Sequence, residues 1–125
     1  MTTMTNDFSA ILAAHAAWLD GDPDGRRADL RGEDLRGANL ANANLANANL
    51  SGADLTGACL RGACLRGADL SGARLEDANM AFVDLFQADL TSARLAGANL
   101  LDANLVGATT TGFDITGAKM GGINY

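Results

Sequence analysis

A period of five residues runs from Ala28 to the end of the chain and constrains the fold more than any other feature. When the chain is cut every five residues from Ala28, the third residue of a block is Leu in 15 of 20 blocks. The first residue of a block is Ala in 16 of the 20. Such regularity is typical of proteins that stack one small structural unit many times. We therefore predict two parts, an N-terminal segment of residues 1–27 and a repeat domain of residues 28–125.

Neither regular secondary structure accommodates this period. On an α-helix a step of five residues turns the chain by about 140°, so the leucines would be spread around the whole cylinder. On a flat strand a step of five is odd, so successive leucines would point to opposite faces. A bend in every block removes the conflict, because each leucine can then point to one central axis. The period predicts a β-solenoid with leucine inside.

The other positions of the block carry residues that favour turns. The fifth position is Gly in many blocks, as at Gly32 and Gly37, and Gly permits the backbone angles of tight corners. The second position is commonly Asn or Asp, as at Asp29 and Asn39, and these side chains bond to nearby backbone groups. We therefore expect a corner in every block.

Blocks such as 28–32 (ADLRG) and 53–57 (ADLTG) resemble the A(D/N)LXX motif of the pentapeptide-repeat family. The resemblance implies an all-β solenoid, a right-handed quadrilateral β-helix with four blocks in each coil. The central Leu and the preceding Ala would face inward, and 20 blocks would make about five coils. Residues 20 positions apart would then stack on one face.

Both ends of a solenoid must be closed, because an open coil exposes apolar side chains and unpaired backbone groups. At the N-terminus we predict a capping α-helix with Thr5 or Asn6 as N-cap and Gly21 as stop signal. This helix is either a lid on the first coil, which we favour, or a partner-binding helix. Phe8, Leu12 and Leu19 would dock the lid on the first coil, and His15 is expected to be a helix-surface or cap residue. The residues that recur at helical spacing are Phe8, Ile11, Leu12, His15, Ala16 and Leu19. At the other end, larger residues are expected to plug the last coil: Phe113, Ile115, Met120, Ile123 and Tyr125.

Charge and hydropathy exclude several classes of protein. The net charge of −6 argues against a nucleic-acid binder, which needs a basic surface. No apolar run approaches the roughly 20 residues of a membrane span. The first seven residues lack the Lys or Arg that opens a secretory signal, so a cytoplasmic protein with free thiols is expected.

The sequence offers no catalytic, cofactor-binding or metal-binding candidate. Residues 20–25 (DGDPDG) match the first half of an EF-hand loop, but Arg31 stands where the bidentate Glu belongs, which favours a turn. Cys59 and Cys64 occupy equivalent outward positions on neighbouring faces, an unsuitable arrangement for a disulfide. The single His15 lies far from both cysteines in the sequence. A protein without enzymatic activity is therefore predicted.

Two surface features are candidates for binding. Asp29, Asp69 and Asp89 fall in one stacked column with Asn49 and Thr109 and form a candidate acidic ladder. The next column mixes signs and is expected to form vertical ion pairs: Asp34, Asp54, Arg74, Arg94 and Asp114. The apolar patch, our name for Phe82, Phe86, Leu101 and Val106, occupies positions that elsewhere hold small or polar residues. Clustered exposed apolar side chains usually mark a contact with a partner or a second copy, although packing beneath a corner is an alternative.

Two functions remain after these exclusions. The first is a structural or adaptor protein that presents a rigid rod surface to another protein, and we rank it first. The second is a DNA-mimicking modulator of DNA gyrase or another topoisomerase, which the resemblance implies because some members of the family act in this way. The short rod and the modest charge argue against the second. Neither function involves a cofactor, direct binding to nucleic acid, or a membrane.

Overall fold

The computed structural model describes residues 8–125, which comprise one α-helix and a chain that winds in turns of constant length. Helix α1 spans Ser9–Leu19. Sixteen parallel β-bridges follow, from Asp29↔Asn49 to Asn104↔Asn124, and each joins residues 20 positions apart. Four blocks therefore make one turn, and the predicted stacking of residues 20 apart is confirmed.

Each turn is held to the next by short backbone hydrogen bonds. The Leu30 N–H donates to the Asn49 carbonyl at 2.8 Å, and the Asn49 N–H donates to the Ala28 carbonyl at 3.0 Å. Within residues 8–125 the β-structure consists of single bridged residues, so the continuous strands that the term all-β suggests do not occur. The reason is local, because a corner occupies most of every block and leaves a single bridged residue in each.

The corners have the turn chemistry that the sequence predicts. In one corner the Ala38 N–H donates to the Leu35 carbonyl at 3.0 Å, which closes a four-residue turn. The fifth residue of every block from 32 to 122 has a positive φ, as the third residue of a type II turn requires. At the second position, the Oδ1 atom of Asn49 accepts a hydrogen bond from the Ser51 N–H at 3.1 Å. Seven of the positive-φ residues are not Gly: Asn42, Asn47, Asp77, Phe82, Gln87, Ser92 and Asp102.

The core is a stack of leucine layers, as the repeat predicts. Every third-position side chain from Leu30 to Leu105 is buried, and Leu65 in the middle of the stack has no exposed surface. The first-position alanines from Ala38 to Ala103 are buried beside them. Full burial of one Leu contributes roughly 1.5–3 kcal/mol before the entropy of ordering is subtracted.

Helix α1 lies against the first turn of the solenoid. Phe8 is buried in the same apolar cluster as the leucines, and Ile11 and Leu12 pack against that cluster. Ala16 is exposed and Leu19 is half-buried, so the face of α1 that contacts the solenoid is narrower than the helical spacing predicts. Phe8 precedes the first helical residue without a side-chain cap, and the predicted N-cap, Thr5 or Asn6, lies outside the described residues.

His15 joins α1 to the solenoid through both ring nitrogens. Nδ1 accepts a hydrogen bond from the Ala28 N–H at 2.9 Å. Nε2 lies 2.7 Å from the Ala46 carbonyl oxygen and therefore carries the hydrogen that it donates. The ring is fully buried and stacks on Trp18, with 5.5 Å between ring centroids. The sequence placed His15 on the helix but did not predict these bonds.

The predicted turn at residues 20–25 is present between α1 and the solenoid. The Asp24 N–H donates to Oδ1 of Asp22 at 2.9 Å. Gly25 is buried beneath the helix, and a Cβ atom at this position would overlap the backbone of Trp18. The glycine therefore permits a close approach between the turn and the end of α1.

The last turn is only partly filled by the larger residues expected to plug it. Phe113, Met120 and Ile123 pack against the leucine core. Tyr125, in contrast, is 83% exposed, and Ile115 also lies at the surface. A cavity of about 220 Å³ opens beside Tyr125. Residues 8–125 contain no helix with the length and apolar character needed to cross a membrane.

Candidate interaction surface

The 20-residue register divides the solenoid into four faces. Face 1 comprises block 28–32 and the blocks 20, 40, 60 and 80 residues further along the chain. Face 2 begins in the same way with block 33–37, face 3 with block 38–42, and face 4 with block 43–47. We call a set of equivalent residues on one face a column. The outward side chains of a column repeat along the rod at the spacing of β-strands, about 4.8 Å.

The apolar patch lies on two neighbouring faces of adjoining turns. Phe82 and Leu101 belong to face 3, and Phe86 and Val106 belong to face 4 with Val106 stacked on Phe86. Phe82 is 51% exposed and Leu101 is 38% exposed, whereas Phe86 and Val106 are half-buried. The register therefore places the four residues on adjoining faces of adjoining turns, with Phe82 as the most exposed member.

Two arginines from the preceding turn cover the aromatic rings of the patch. The guanidinium carbon of Arg61 lies 4.7 Å from the ring centroid of Phe82. That of Arg66 lies 4.3 Å from the ring centroid of Phe86. Such contacts contribute about 0.5–1 kcal/mol at exposed sites. The sequence analysis did not predict these contacts, although Arg66 precedes Phe86 by one full turn and the register alone indicates the second pair.

The two arginines differ in their ion pairing. Nη1 of Arg66 lies 2.9 Å from Oδ2 of Asp84, so its charge is already paired. Arg61 makes no ion pair with any carboxylate of residues 8–125. Its planar guanidinium therefore keeps donors available to a carboxylate from outside the chain.

Phe82 has an unfavourable backbone conformation for its residue type. Its φ is 61°, in the left-handed region. This conformation costs roughly 1–2 kcal/mol in a residue with a Cβ atom and is unusual for a bulky one. The equivalent positions of the column hold residue types that adopt it readily: Asn42, Gly62, Asp102 and Gly122. Backbone strain of this kind concentrates at functional sites, which directs attention to Phe82.

The candidate acidic ladder on face 1 is interrupted. Asp29 forms an ion pair with Arg31 at 2.8 Å, and this contact lowers the pKa of Asp29. Asn49 separates Asp29 from Asp69 in the column. A hydrogen bond from the Thr91 hydroxyl lowers the pKa of Asp89. The register brings the three carboxylates into one column but not into an unbroken series of charges.

The ion pairs on face 2 do not follow the single column that the sequence suggests. Arg36 reaches back to Asp34 at 2.8 Å and lies 4.0 Å from Asp54. The side-chain hydrogen bonds from Arg36 lower the pKa of Asp34 to about 2. Arg94 pairs with Glu76 at 3.5 Å. Each pair joins the second and fourth positions of a block, within one block for Arg36 and Asp34 and between successive turns for Arg94 and Glu76. Exposed pairs of this kind stabilise weakly.

The cysteines and acidic residues do not assemble a metal site within residues 8–125. Cys59 and Cys64 are half-buried free thiols, and their bridges place them on faces 3 and 4. Asp22 and Asp24 belong to the turn after α1.

Comparison with known proteins identifies the family. The sequence model described as pentapeptide repeats matches in eight copies, over residues 26–62, 34–72, 60–92 and 84–122. The chain belongs to the pentapeptide-repeat family. Pentapeptide-repeat proteins fold as right-handed quadrilateral β-helices, which accounts for the four faces and the 20-residue turn. Their structural neighbours are generally non-enzymatic proteins with structural or interaction roles.

Several solved pentapeptide-repeat structures resemble this one. Rfr23 from the cyanobacterium Cyanothece 51142 is 40% identical with a TM-score of 0.70, and the match covers 71% of this chain and 60% of that protein. The protein alr5209 from Nostoc PCC 7120 is 40% identical with a TM-score of 0.40, and the match covers 86% and 74% of the two chains. Trypsin-treated QnrB1, a plasmid-mediated fluoroquinolone resistance protein, is 19% identical with a TM-score of 0.37 and coverages of 74% and 68%. A comparison with curated proteins gave no match.

Proposed function

We propose that this pentapeptide-repeat protein is a non-enzymatic adaptor that presents the apolar patch to another protein. In this proposal the chain forms a short cytoplasmic rod of about five coils, and α1 closes the first of them. The observation that carries the proposal is Phe82, an aromatic side chain that is 51% exposed and held at a positive φ. The fold gains little from such a residue, whereas a partner that buries the ring gains apolar contact.

The composition around Phe82 resembles that of protein interfaces and supports the proposal. Interfaces are enriched in aromatic residues and Arg, and a few such side chains usually dominate the binding energy. Here Arg61 covers one face of the Phe82 ring, and Leu101 lies on the same face of the solenoid in the next turn. Phe86 and Val106 extend the patch around the corner and are half-buried.

The rod also holds these side chains in fixed positions. The Phe82 N–H donates to the Leu101 carbonyl at 2.9 Å, and the Gln87 N–H donates to the Val106 carbonyl at 2.9 Å. Backbone bonds on both faces of the patch therefore tie its two turns together. A surface already ordered in its binding conformation loses less conformational entropy on association.

The proposal is tested by affinity capture from the native host with a matched pair of variants. Phe82→Asn removes the aromatic ring but retains a residue that the column accepts, since Asn42 is its equivalent. Ser92→Asn makes the same type of change at another positive-φ corner, between faces 1 and 2. A protein recovered with wild type and Ser92→Asn but lost with Phe82→Asn supports the adaptor function. Equal recovery with all three contradicts it.

A second candidate function is modulation of DNA gyrase or another topoisomerase by DNA mimicry. The observation that favours it is the alignment of Asp29, Asp69 and Asp89 in one column. The ion pair at Asp29 and the neutral Asn49 weaken it, because DNA presents a closely spaced and unbroken series of charges. A gyrase supercoiling assay tests this function, and supercoiling changed by wild type but not by an Asp69→Asn, Asp89→Asn double variant would support it.

A further inference from the structure

Charge is divided unequally between the two halves of the rod. Faces 3 and 4 carry three basic residues, Arg61, Arg66 and Lys119, against two acidic residues, Asp84 and Asp102. Faces 1 and 2 carry nine acidic residues against four basic ones. The apolar patch therefore lies on a weakly positive half of a protein whose net charge is −6.

Within this half, an unpaired cation adjoins Phe82, the most exposed member of the apolar patch. Arg61 has no carboxylate partner among residues 8–125, and its guanidinium carbon lies over the Phe82 ring, 4.7 Å from the ring centroid. A guanidinium carries its N–H donors in a planar fork that can bind a carboxylate through two parallel hydrogen bonds. The small Ala81 stands between Arg61 and Leu101 in their column and is only 3% exposed, so the longer side chains form the outer surface.

We infer that the patch binds a peptide segment in which acidic residues alternate with large apolar ones. This inference rests on the proposed adaptor function and adds the chemistry of the partner. A carboxylate of the segment pairs with Arg61, and a neighbouring apolar side chain packs on Phe82 and Leu101. Charge complementarity favours this partner over a neutral one, because the cation is in place and lacks an internal counter-ion.

The same observations disfavour nucleic acid as the partner. Faces 3 and 4 together carry a net charge of only +1, and faces 1 and 2 are acidic. A nucleic acid needs several neutralised phosphates to bind at ordinary ionic strength. Arg66 is already paired with Asp84 at 2.9 Å, which reduces the charge available to phosphates further.

The experiment uses the full chain and two short fluorescent peptides, one of alternating glutamate and leucine or phenylalanine, and one with glutamine in place of every glutamate. Binding is measured by fluorescence anisotropy at low and high salt with wild type, Arg61→Gln and Phe82→Asn. Arg31→Gln is the matched control, because Arg31 lies on face 1 and already pairs with Asp29. Sedimentation velocity of each protein reports whether a second copy occupies the patch.

We expect the glutamate peptide to bind wild type and Arg31→Gln equally and to bind Arg61→Gln roughly tenfold more weakly, since a charge-assisted hydrogen bond is lost. Binding should also weaken at high salt and with Phe82→Asn. The inference is overturned if the glutamine peptide binds as well as the glutamate peptide, if neither binds, if a single-stranded oligonucleotide binds in their place, or if Phe82→Asn dissociates a dimer. A host protein lost with Phe82→Asn but retained with Arg61→Gln leaves the adaptor function standing and removes only the acidic partner.

Discussion

Replacement of His15 by Phe tests how α1 is attached to the solenoid. Phe retains a flat ring of similar size but can neither accept from the Ala28 N–H nor donate to the Ala46 carbonyl. A buried backbone group left without a partner costs about 1–3 kcal/mol, so two such groups cost about 2–6 kcal/mol. If the free energy that holds the helix on the solenoid is smaller than this cost, the helix detaches in the variant and the two groups bond to water.

The single tryptophan reports this attachment directly, since Trp18 stacks on the His15 ring. In a urea titration followed by Trp18 fluorescence, the midpoint of His15→Phe should fall by on the order of 1 M or more. The circular dichroism signal of the solenoid should change at a higher urea concentration than the Trp18 fluorescence, because the substitution leaves the leucine layers unchanged. The two transitions of wild type should lie closer together than those of the variant.

Two further variants make the result specific. His15→Gln places an amide near the position of Nε2 and keeps the donor to the Ala46 carbonyl. Its fluorescence midpoint should therefore lie between those of wild type and His15→Phe. Ala16→Gln changes the neighbouring exposed residue of α1 and should behave as wild type. The reasoning is refuted if His15→Phe and wild type give superimposable fluorescence transitions, because the two hydrogen bonds would then contribute nothing to attachment.

Three other perturbations test the core, a surface pair and the turn. Leu65→Asp puts a charge in the middle of the leucine stack and should unfold the rod or split its thermal melt. Leu101→Asp, at the surface, should do neither. An unchanged melt for Leu65→Asp would contradict the burial of Leu65. The pKa of Asp34, lowered to about 2 by Arg36, implies a contribution to stability that is present above the usual 3.8 and is lost as pH falls through about 2. In an NMR titration Arg36→Gln should raise that pKa towards its usual value, and no change would exclude the pair as the cause. Gly25→Ala should lower the thermal midpoint because its Cβ atom overlaps the backbone of α1, and full stability would show that the turn can relax.

The architecture could be predicted from the sequence because nearly every block repeats the same pattern of residue types. Gly at the fifth position and Asn or Asp at the second specify a corner, and Leu at the third specifies which way that corner turns. Leu65 is fully buried because it is the third residue of its block, the position that faces inward in the neighbouring blocks as well. An error in predicting one block would not affect the prediction for distant blocks, since each turn packs only on the turns beside it.

The surface was less predictable because it depends on side chains that do not repeat. The four residues of the apolar patch were identified from their unusual block positions, but their accessibility depends on the reach of Arg61 and Arg66, which the period does not encode. His15 likewise bonds to the first turn through a docking geometry that no local pattern specifies. The last turn departs from expectation at Tyr125, which is 83% exposed where a filled core was predicted.

The constant turn of 20 residues has a consequence for how the surface of such a protein can evolve. Loss of one five-residue block between Phe86 and Leu101 would leave every remaining leucine pointing inward, so the rod would still fold. All residues after the deletion would nevertheless rotate by one face, which separates Leu101 from the column of Arg61. Gain or loss of single blocks therefore reshuffles surface neighbours without disturbing the interior, and only steps of four blocks preserve an existing site.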